Sequence, residues 1–365
     1  MKKTFTYLLL LSLPCFSSCD LVWNESQDYT SIRHNLLWER LADCEGEIGK
    51  EKGDASIEAA VFSPNDRYVA SVSHQGSDII VWDSESGESH WEGSMNYPLK
   101  SVRFNPRQSQ ILIGGESNFV KILDVNTGKL IHTLNAGDDV EYITFSNNKK
   151  YLAVGNSAGM IIIWETSNYK KIKELVHDKE TVKHDVNTLC FTENDKYLIS
   201  GGYNSKIICW NVKDDFSETW IIDQQFGSVK SVRVSPNGKY VASSSSERSK
   251  DHSKGNSLCI WDIKSGKNIL TMHYAFGMEA IEFSPNGQFL LAGGTEGKNL
   301  RGSFAGFGNI YVYKINTDET KPFLELTNKI KTFRSEYLHF NSTGSRLLSA
   351  HEDGSIKMWN VEYLN

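Results

Sequence analysis

The chain has 365 residues, with 39 lysines and arginines against 45 acids, a formal charge of −6, and 39% hydrophobic and 11% aromatic residues. That length supports a large core, and at about 150 residues per domain it points to two or three domains. The apolar and aromatic content excludes a disordered chain, and the mild acidity lacks the broad positive footprint of a nucleic-acid binder.

The chain opens Met1-Lys2-Lys3, then runs apolar from Phe5 to Leu13 before Pro14 and a set of small residues. This is the order of a secretory signal peptide, and the run is shorter than the roughly 20 residues that span a bilayer. Cys19 follows Ser17-Ser18 directly. The segment resembles the lipobox of bacterial lipoproteins, with Phe16 where that family usually carries Leu, Val or Ile. The resemblance implies that residues 1–18 are removed and that Cys19 becomes the mature N-terminus, acylated with fatty acids such as palmitate. Residues 19–33 would form a polar tether. A plain signal peptide cut nearby is the alternative. The expected location is the cell envelope, on a bacterial membrane, periplasmic or surface-facing. Losing residues 1–18 removes two lysines and no acid, which leaves 37 basic against 45 acidic residues, or −8.

Of six cysteines, Cys44, Cys190, Cys209 and Cys259 lie beyond Cys19, and no CxxC pair occurs. The last three sit in strand patterns and read as buried thiols. One bridge stays open in an oxidising compartment, without an assignable pairing.

From residue 34 to 361 the chain repeats one phrase seven times. Its key aromatic position is held by Phe62, Phe104, Phe145, Phe191, Val234, Phe283 and Phe340, spaced 41 to 57 residues apart. Each phrase ends in a turn of the Ser-Pro-Asn-Gly type, and four of the seven prolines (Pro64, Pro106, Pro236, Pro285) sit in it. Pro presets φ there, while Asn and Gly tolerate unusual backbone angles. A β run follows, such as YVASVS or YLAVGN, then a second that ends in an aromatic in six of seven units: Trp82, Trp164, Trp210, Trp261, Tyr313 and Trp359, with Leu123 in the second. A weaker fourth run closes each unit, as in Leu130–Leu134 or Lys171–Leu175. Four strands per unit of about 40–50 residues predict propeller blades.

These residues resemble the WD-repeat β-propellers. Five of nine tryptophans fall at that family's tryptophan position, and Trp82-Asp83 and Trp261-Asp262 keep its dipeptide. The Gly-His pair before the first strand is missing throughout, and only Asp353 matches the turn aspartate, so the family's Asp-His-Ser-Trp tetrad is expected to be mostly absent. The resemblance implies an all-β, seven-bladed propeller over residues 34–361, followed by a tail at 362–365. The seventh unit stops after its third strand. The segment His34–Leu41, with Leu36, Trp38 and Arg40 alternating against Leu37, Glu39 and Leu41, is predicted to supply the missing strand and close the ring.

In such propellers the connections between the second and third strands share one face with those between blades. Two are long: Ser245–Ser257 in blade 5, with Arg248, Lys250 and Lys254, and Thr295–Asn309 in blade 6, with Lys298, Arg301, Phe304 and Phe307. Each carries a net charge of +1 on an acidic chain. Arginine and aromatic side chains dominate binding hot spots, so these seven residues form the candidate patch for a protein partner. Solvated loops with the phenylalanines folded back are the plainer reading.

Other chemistry finds little support. Gly297-Lys298 lacks the leading glycine and trailing Ser or Thr of a phosphate loop, so no nucleotide is expected. His74 and His351 share a repeat position and, with His252 or Asp353, could crowd one face, yet they read as turn histidines, and no metal or cofactor is expected. The GxSxG spacing at Gly155–Gly159 falls in a hairpin rather than a nucleophile elbow. The leading function is a non-enzymatic protein-interaction scaffold. The alternatives are a propeller enzyme of lactonase-like or quinoprotein-like type, and a structural subunit of an envelope assembly. Fold alone does not choose among them.

Overall fold

The computed structural model describes residues 36–41, 56–74, 76–107, 109–177, 179, 184–223, 227–246, 257–274, 277–295, 307–316 and 323–364. These residues form seven antiparallel four-stranded sheets, one per repeat, and in blades 1 to 6 the four strands, a to d, are consecutive. The innermost strands a are Ile57–Phe62, Leu99–Phe104, Val140–Phe145, Thr188–Phe191, Ser228–Val234, Met278–Phe283 and Ser335–Phe340. Each packs on the next, and the last packs on the first, which closes a circle.

Strands b and c read as continuous apolar runs because neighbouring blades cover both of their faces. Every residue of Tyr68–Ser73 is buried, as are Ile79 to Trp82 on the adjacent strand c. The a–b turns are held by two side chains. Ser63 Oγ donates to Asn65 Oδ1 at 2.8 Å and accepts the Tyr68 N–H at 2.9 Å, and Ser235 with Asn237 and Ser284 with Asn286 repeat the arrangement. Asp66, one residue beyond the turn asparagine and at positive φ, also accepts the Ser342 N–H from blade 7 at 3.0 Å.

Ring closure follows the sequence expectation. Leu36–Leu41 pairs antiparallel with Ser355–Asn360 as the fourth strand of blade 7. Trp38 is buried and Leu36 and Arg40 half-buried, while Leu37, Glu39 and Leu41 face solvent. The strand also grips blade 1. Trp38 Nε1 donates to Ser84 O at 3.0 Å, and Arg40 donates through Nε to Gly87 O at 2.8 Å and through Nη2 to Ser86 O at 2.9 Å. Gly87 lies at φ +68°, and a Cβ there would come within 2.9 Å of the Trp38 ring, so only glycine fits this turn.

This grip recurs, and it explains three tryptophans outside strand c. Trp91 on strand d of blade 1 donates to Val125 O and lies on Gly128 of blade 2. Trp220 on strand d of blade 4 donates to Ile263 O at 2.9 Å and lies on Gly266 of blade 5. In each case the acceptor directly follows the turn aspartate (Asp83, Asp124 or Asp262), and the glycine lies three residues further on.

Cys190 and Cys209 are free thiols, Cys209 and Cys259 are buried, and burial pushes the Cys209 thiol up to about 12. Cys44 lies outside the described residues. Glu362–Leu364 forms a 3-10 turn bonded through Leu364 O to Asn286 Nδ2 at 2.7 Å.

Deleting residues 20–41 should lower the melting temperature of the entire ring in one transition. Trp38→Ala alone should cost about 3–5 kcal/mol, the usual range for truncating a buried tryptophan. Denaturant unfolding checks both, and an unchanged midpoint in either variant would contradict the closure.

Candidate functional site

Strand order fixes two faces. Strands a and c run down and b and d run up, so b–c connections and inter-blade links share the upper face, with a–b and c–d turns on the lower. The two long insertions leave and rejoin the upper rim in adjacent blades. One departs at Ser246 and returns at Ser257, where Ser245 Oγ and Ser257 Oγ lie 2.7 Å apart. The other departs at Thr295 and returns along Phe307–Ile315, a nine-residue strand where most others have six. Arg248, Lys250, Lys254, Lys298, Arg301 and Phe304 lie outside the described residues, as does Cys19. Phe307 is placed by its backbone alone, opposite Phe333 at the top of blade 6.

The upper mouth of the central channel carries a charged ring. In six blades strand a has a β-bulge that leaves one residue unpaired, four positions before the key aromatic. Those residues are Glu58, Lys100, Glu141, Lys230, Glu279 and Glu336, and Asn187 holds the same position in blade 4. A bulge re-aims a side chain out of the ladder, and here it does so once in each of six blades. The ring pairs across blade boundaries: Lys100 with Glu141 at 2.6 Å, Lys230 with Glu279 at 3.8 Å, and Asn187 Nδ2 to Val229 O at 2.9 Å.

Blades 6 and 7 are joined by one residue, Arg334, between strands ending at Phe333 and starting at Ser335. Its guanidinium meets Glu279 at 3.0 Å, Glu336 at 3.0 Å and Glu352 at 3.3 Å. One cation thus serves three carboxylates. Burial raises the Glu336 carboxyl to about 8 against the pull of Arg334, with Glu279, Glu58 and Glu352 adding repulsion. Burial also raises Glu58 and Glu141.

Below this ring, side chains from distant blades meet on the axis. Tyr142 of blade 3 and Tyr337 of blade 7 bring their hydroxyls within 3.3 Å. Arg103 of blade 2 lies over both rings, 4.8 Å and 5.2 Å from their centroids, and donates to the Tyr337 hydroxyl. Arg233 of blade 5 lies 5.6 Å from the Tyr337 ring and pairs with Glu282 of blade 6 at 2.8 Å.

Four of the five strand-c tryptophans (Trp82, Trp210, Trp261 and Trp359) donate to a strand-b serine at 2.8 to 2.9 Å. Blade 4 extends this pair into a relay. Trp210 reaches Ser200, Ser200 reaches His177 Nδ1 at 2.9 Å, and His177 Nε2 reaches Asn204 at 3.3 Å. Among the described residues the family tetrad therefore occurs in blade 4, with asparagine for aspartate. The sequence hid it because His177 follows strand d and stands eleven residues ahead of Thr188. His351 is buried beside Ser349 Oγ at 2.8 Å, and burial holds its imidazole down to about 3, as a neutral structural group. His74 pairs instead with Glu116 at 3.4 Å. No cluster of three metal-type ligands occurs among the described residues. Ser157 of the GxSxG spacing donates to Asp138 at 3.1 Å within a hairpin turn.

The sequence profile of the WD domain, G-beta repeat family (WD40) matches residues 128–165, 174–211, 218–262 and 331–360. Each stretch starts at or near strand d of one blade and ends with strand c of the next, so the repeat is offset from the blade by one strand. The chain is a seven-bladed β-propeller with WD40 repeats. It is 28% identical over 138 residues to MST50-interacting protein 11 of Pyricularia oryzae and, equally, to small ribosomal subunit protein RACK1 of Neurospora crassa, covering 37% of this chain and 43% of each relative. It is 26% identical over 137 residues to eukaryotic translation initiation factor 3 subunit I of Aspergillus terreus, covering 37% of this chain and 38% of the relative. The matched stretches span less than half the length of these relatives.

A carboxyl that holds its proton more tightly when folded stabilises the fold at low pH. Glu336 should lose that contribution as pH rises from its ordinary 4.5 towards about 8. The melting temperature should therefore fall across this window, and Glu336→Gln should flatten the fall. A flat wild-type profile, or an unchanged slope in the variant, would contradict the buried carboxylate ring.

Proposed function

We propose that this chain is a non-enzymatic platform for protein partners, exported and held on a membrane by lipid at Cys19. The closed ring carries the reading. It fixes seven upper-face connections on one rigid frame, and loops on such a frame are where binding concentrates. Relatives named as an interacting protein, a ribosomal subunit protein and a subunit of an initiation factor fit a platform better than a catalyst. The partner is a protein with an acidic or mixed surface, met by Arg248, Lys250 and Lys254 on one insertion and by Lys298, Arg301, Phe304 and Phe307 on the other.

Strand direction adds an orientation. Leu36 pairs with Trp359, at the lower end of blade 7, while Leu41 pairs with Ser355 at the upper end. A tether arriving at Leu36 joins the lower rim, opposite the insertions. From Cys19 to Leu36 the chain is 17 residues, a reach of at most roughly 60 Å. A lipid-held ring would then present its insertions away from the bilayer.

Cys19→Ala should move the protein from the membrane fraction to the soluble fraction and abolish palmitate incorporation. Joint replacement of Arg301, Phe304 and Phe307 by alanine should leave folding intact and remove the partner cross-linked by the wild type in its own membranes. Unchanged fractionation would sink the anchor, and unchanged cross-linking would sink the patch.

A further inference from the structure

The axial cluster has an unbalanced charge. Arg103 and Arg233 converge from blades 2 and 5, and among the described residues Glu282 is the one carboxylate paired with either of them. Arg103 has no carboxylate partner among the described residues. It touches the Val102 carbonyl, the Tyr337 hydroxyl and two aromatic faces. Five N–H donors in a fixed fork are more than these acceptors satisfy. Arg103 is half-buried, and a guanidinium partly withdrawn from water without a counter-charge is stabilised by an anion beside it.

A second group points the same way. His339, of blade 7, accepts the Phe62 N–H from blade 1 at its Nδ1, at 3.3 Å. Burial, with Arg103 and Arg233 nearby, holds this imidazole down to about 3. It is therefore neutral, with Nδ1 as acceptor, so its one proton sits on Nε2 as a donor. His339 lies one residue before Phe340, and Arg103 and Arg233 hold the same position before Phe104 and Val234. Three donors thus share one level of the channel with a single carboxylate, Glu282, which holds the same position before Phe283 and is paired with Arg233, on the lower-face side of the bulge ring.

We propose that this level of the channel binds one small oxyanion, a carboxylate or phosphate group, between Arg103, Arg233 and the His339 Nε2–H. The guanidinium forks match the paired oxygens of such a group, which a halide lacks. The mixed-charge ring at the upper mouth, where four of seven positions are glutamate, disfavours entry from above and directs the anion to the lower opening. The site is separate from the insertion patch and survives if that patch binds nothing.

The test uses the full chain. Sodium phosphate, sodium acetate and sodium chloride are titrated separately at constant ionic strength, with calorimetry and thermal melting as readouts. The expected result is saturable binding of phosphate or acetate at one site per ring, raised melting temperature with that anion, and no saturation with chloride. Phosphate alone assigns a phosphate group, acetate alone a carboxylate, and both the shared oxyanion chemistry. Arg103→Gln, checked for folding by circular dichroism, should weaken binding about tenfold or more, in line with loss of a charge-assisted pair. If that variant does not fold, Arg103→Lys keeps the charge, loses the fork and should still bind more weakly. Overturning results are no saturation with either oxyanion in the folded wild type, equal binding in the folded variant, or tyrosinate absorbance at neutral pH, which would make Tyr142 the counter-charge.

Discussion

The pairing of Leu36–Leu41 with Ser355–Asn360 is the constraint on which the ring depends. A propeller buries its blades by face-to-face stacking, so each blade gains its full core only when both neighbours are complete. Without this strand, blade 7 would expose the edge of Ser355–Asn360 and part of the Trp359 face, and blade 1 would lose its cover over Ser84–Gly87. An unpaired edge of this kind also recruits other chains. The junction between blades 7 and 1 is reinforced accordingly, by Trp38, by Arg40, by Asp66 with Ser342, and by Arg346 with Glu85 at 2.8 Å. The last two contacts join residues 276 and 261 positions apart, so the ring closes only after blade 7 is made.

Repetition has a second effect, on the channel. A bulge repeated in strand a of six blades places one side chain from each in the mouth, and positions further along the strand place others deeper on the axis. Seven-fold geometry brings together residues that are remote in sequence, such as Arg103 and Tyr337. The result is two charge layers: a carboxylate-rich ring above, stitched by Lys100, Lys230 and Arg334, and a cationic cluster below, with a single glutamate. Buried charges are costly in either layer, and both layers answer with pairing across blade boundaries.

The repeat, its turns and the closing strand were legible because each is written locally. The Ser-Pro-Asn-Gly turns bond the serine hydroxyl to a side chain two residues on and to a backbone N–H five residues on, and the exposure of Leu36 to Leu41 follows the period of two seen in the sequence. What the sequence withheld depends on register between blades. Trp91 and Trp220 lie outside the repeated phrase, and their role depends on how strand d lies against the next blade's Asp-x-x-Ser/Thr-Gly turn. The bulge ring had a signal, a charged residue four places before the key aromatic, but its meaning needed the irregular pairing that strand a makes. His177 escaped because its loop is longer than the motif allows, and the axial cluster because its members are gathered from five blades around the ring.

Native-state hydrogen exchange tests the closure most directly. If the N-terminal strand is an integral part of the ring, the bonded amides of Leu36–Leu41 and Ser355–Asn360 will exchange together with the slowest core amides, through global unfolding. Rapid exchange of Leu36–Leu41 while the strands of blades 1 and 7 stay protected would show a ring that holds without its clasp, and would contradict the account.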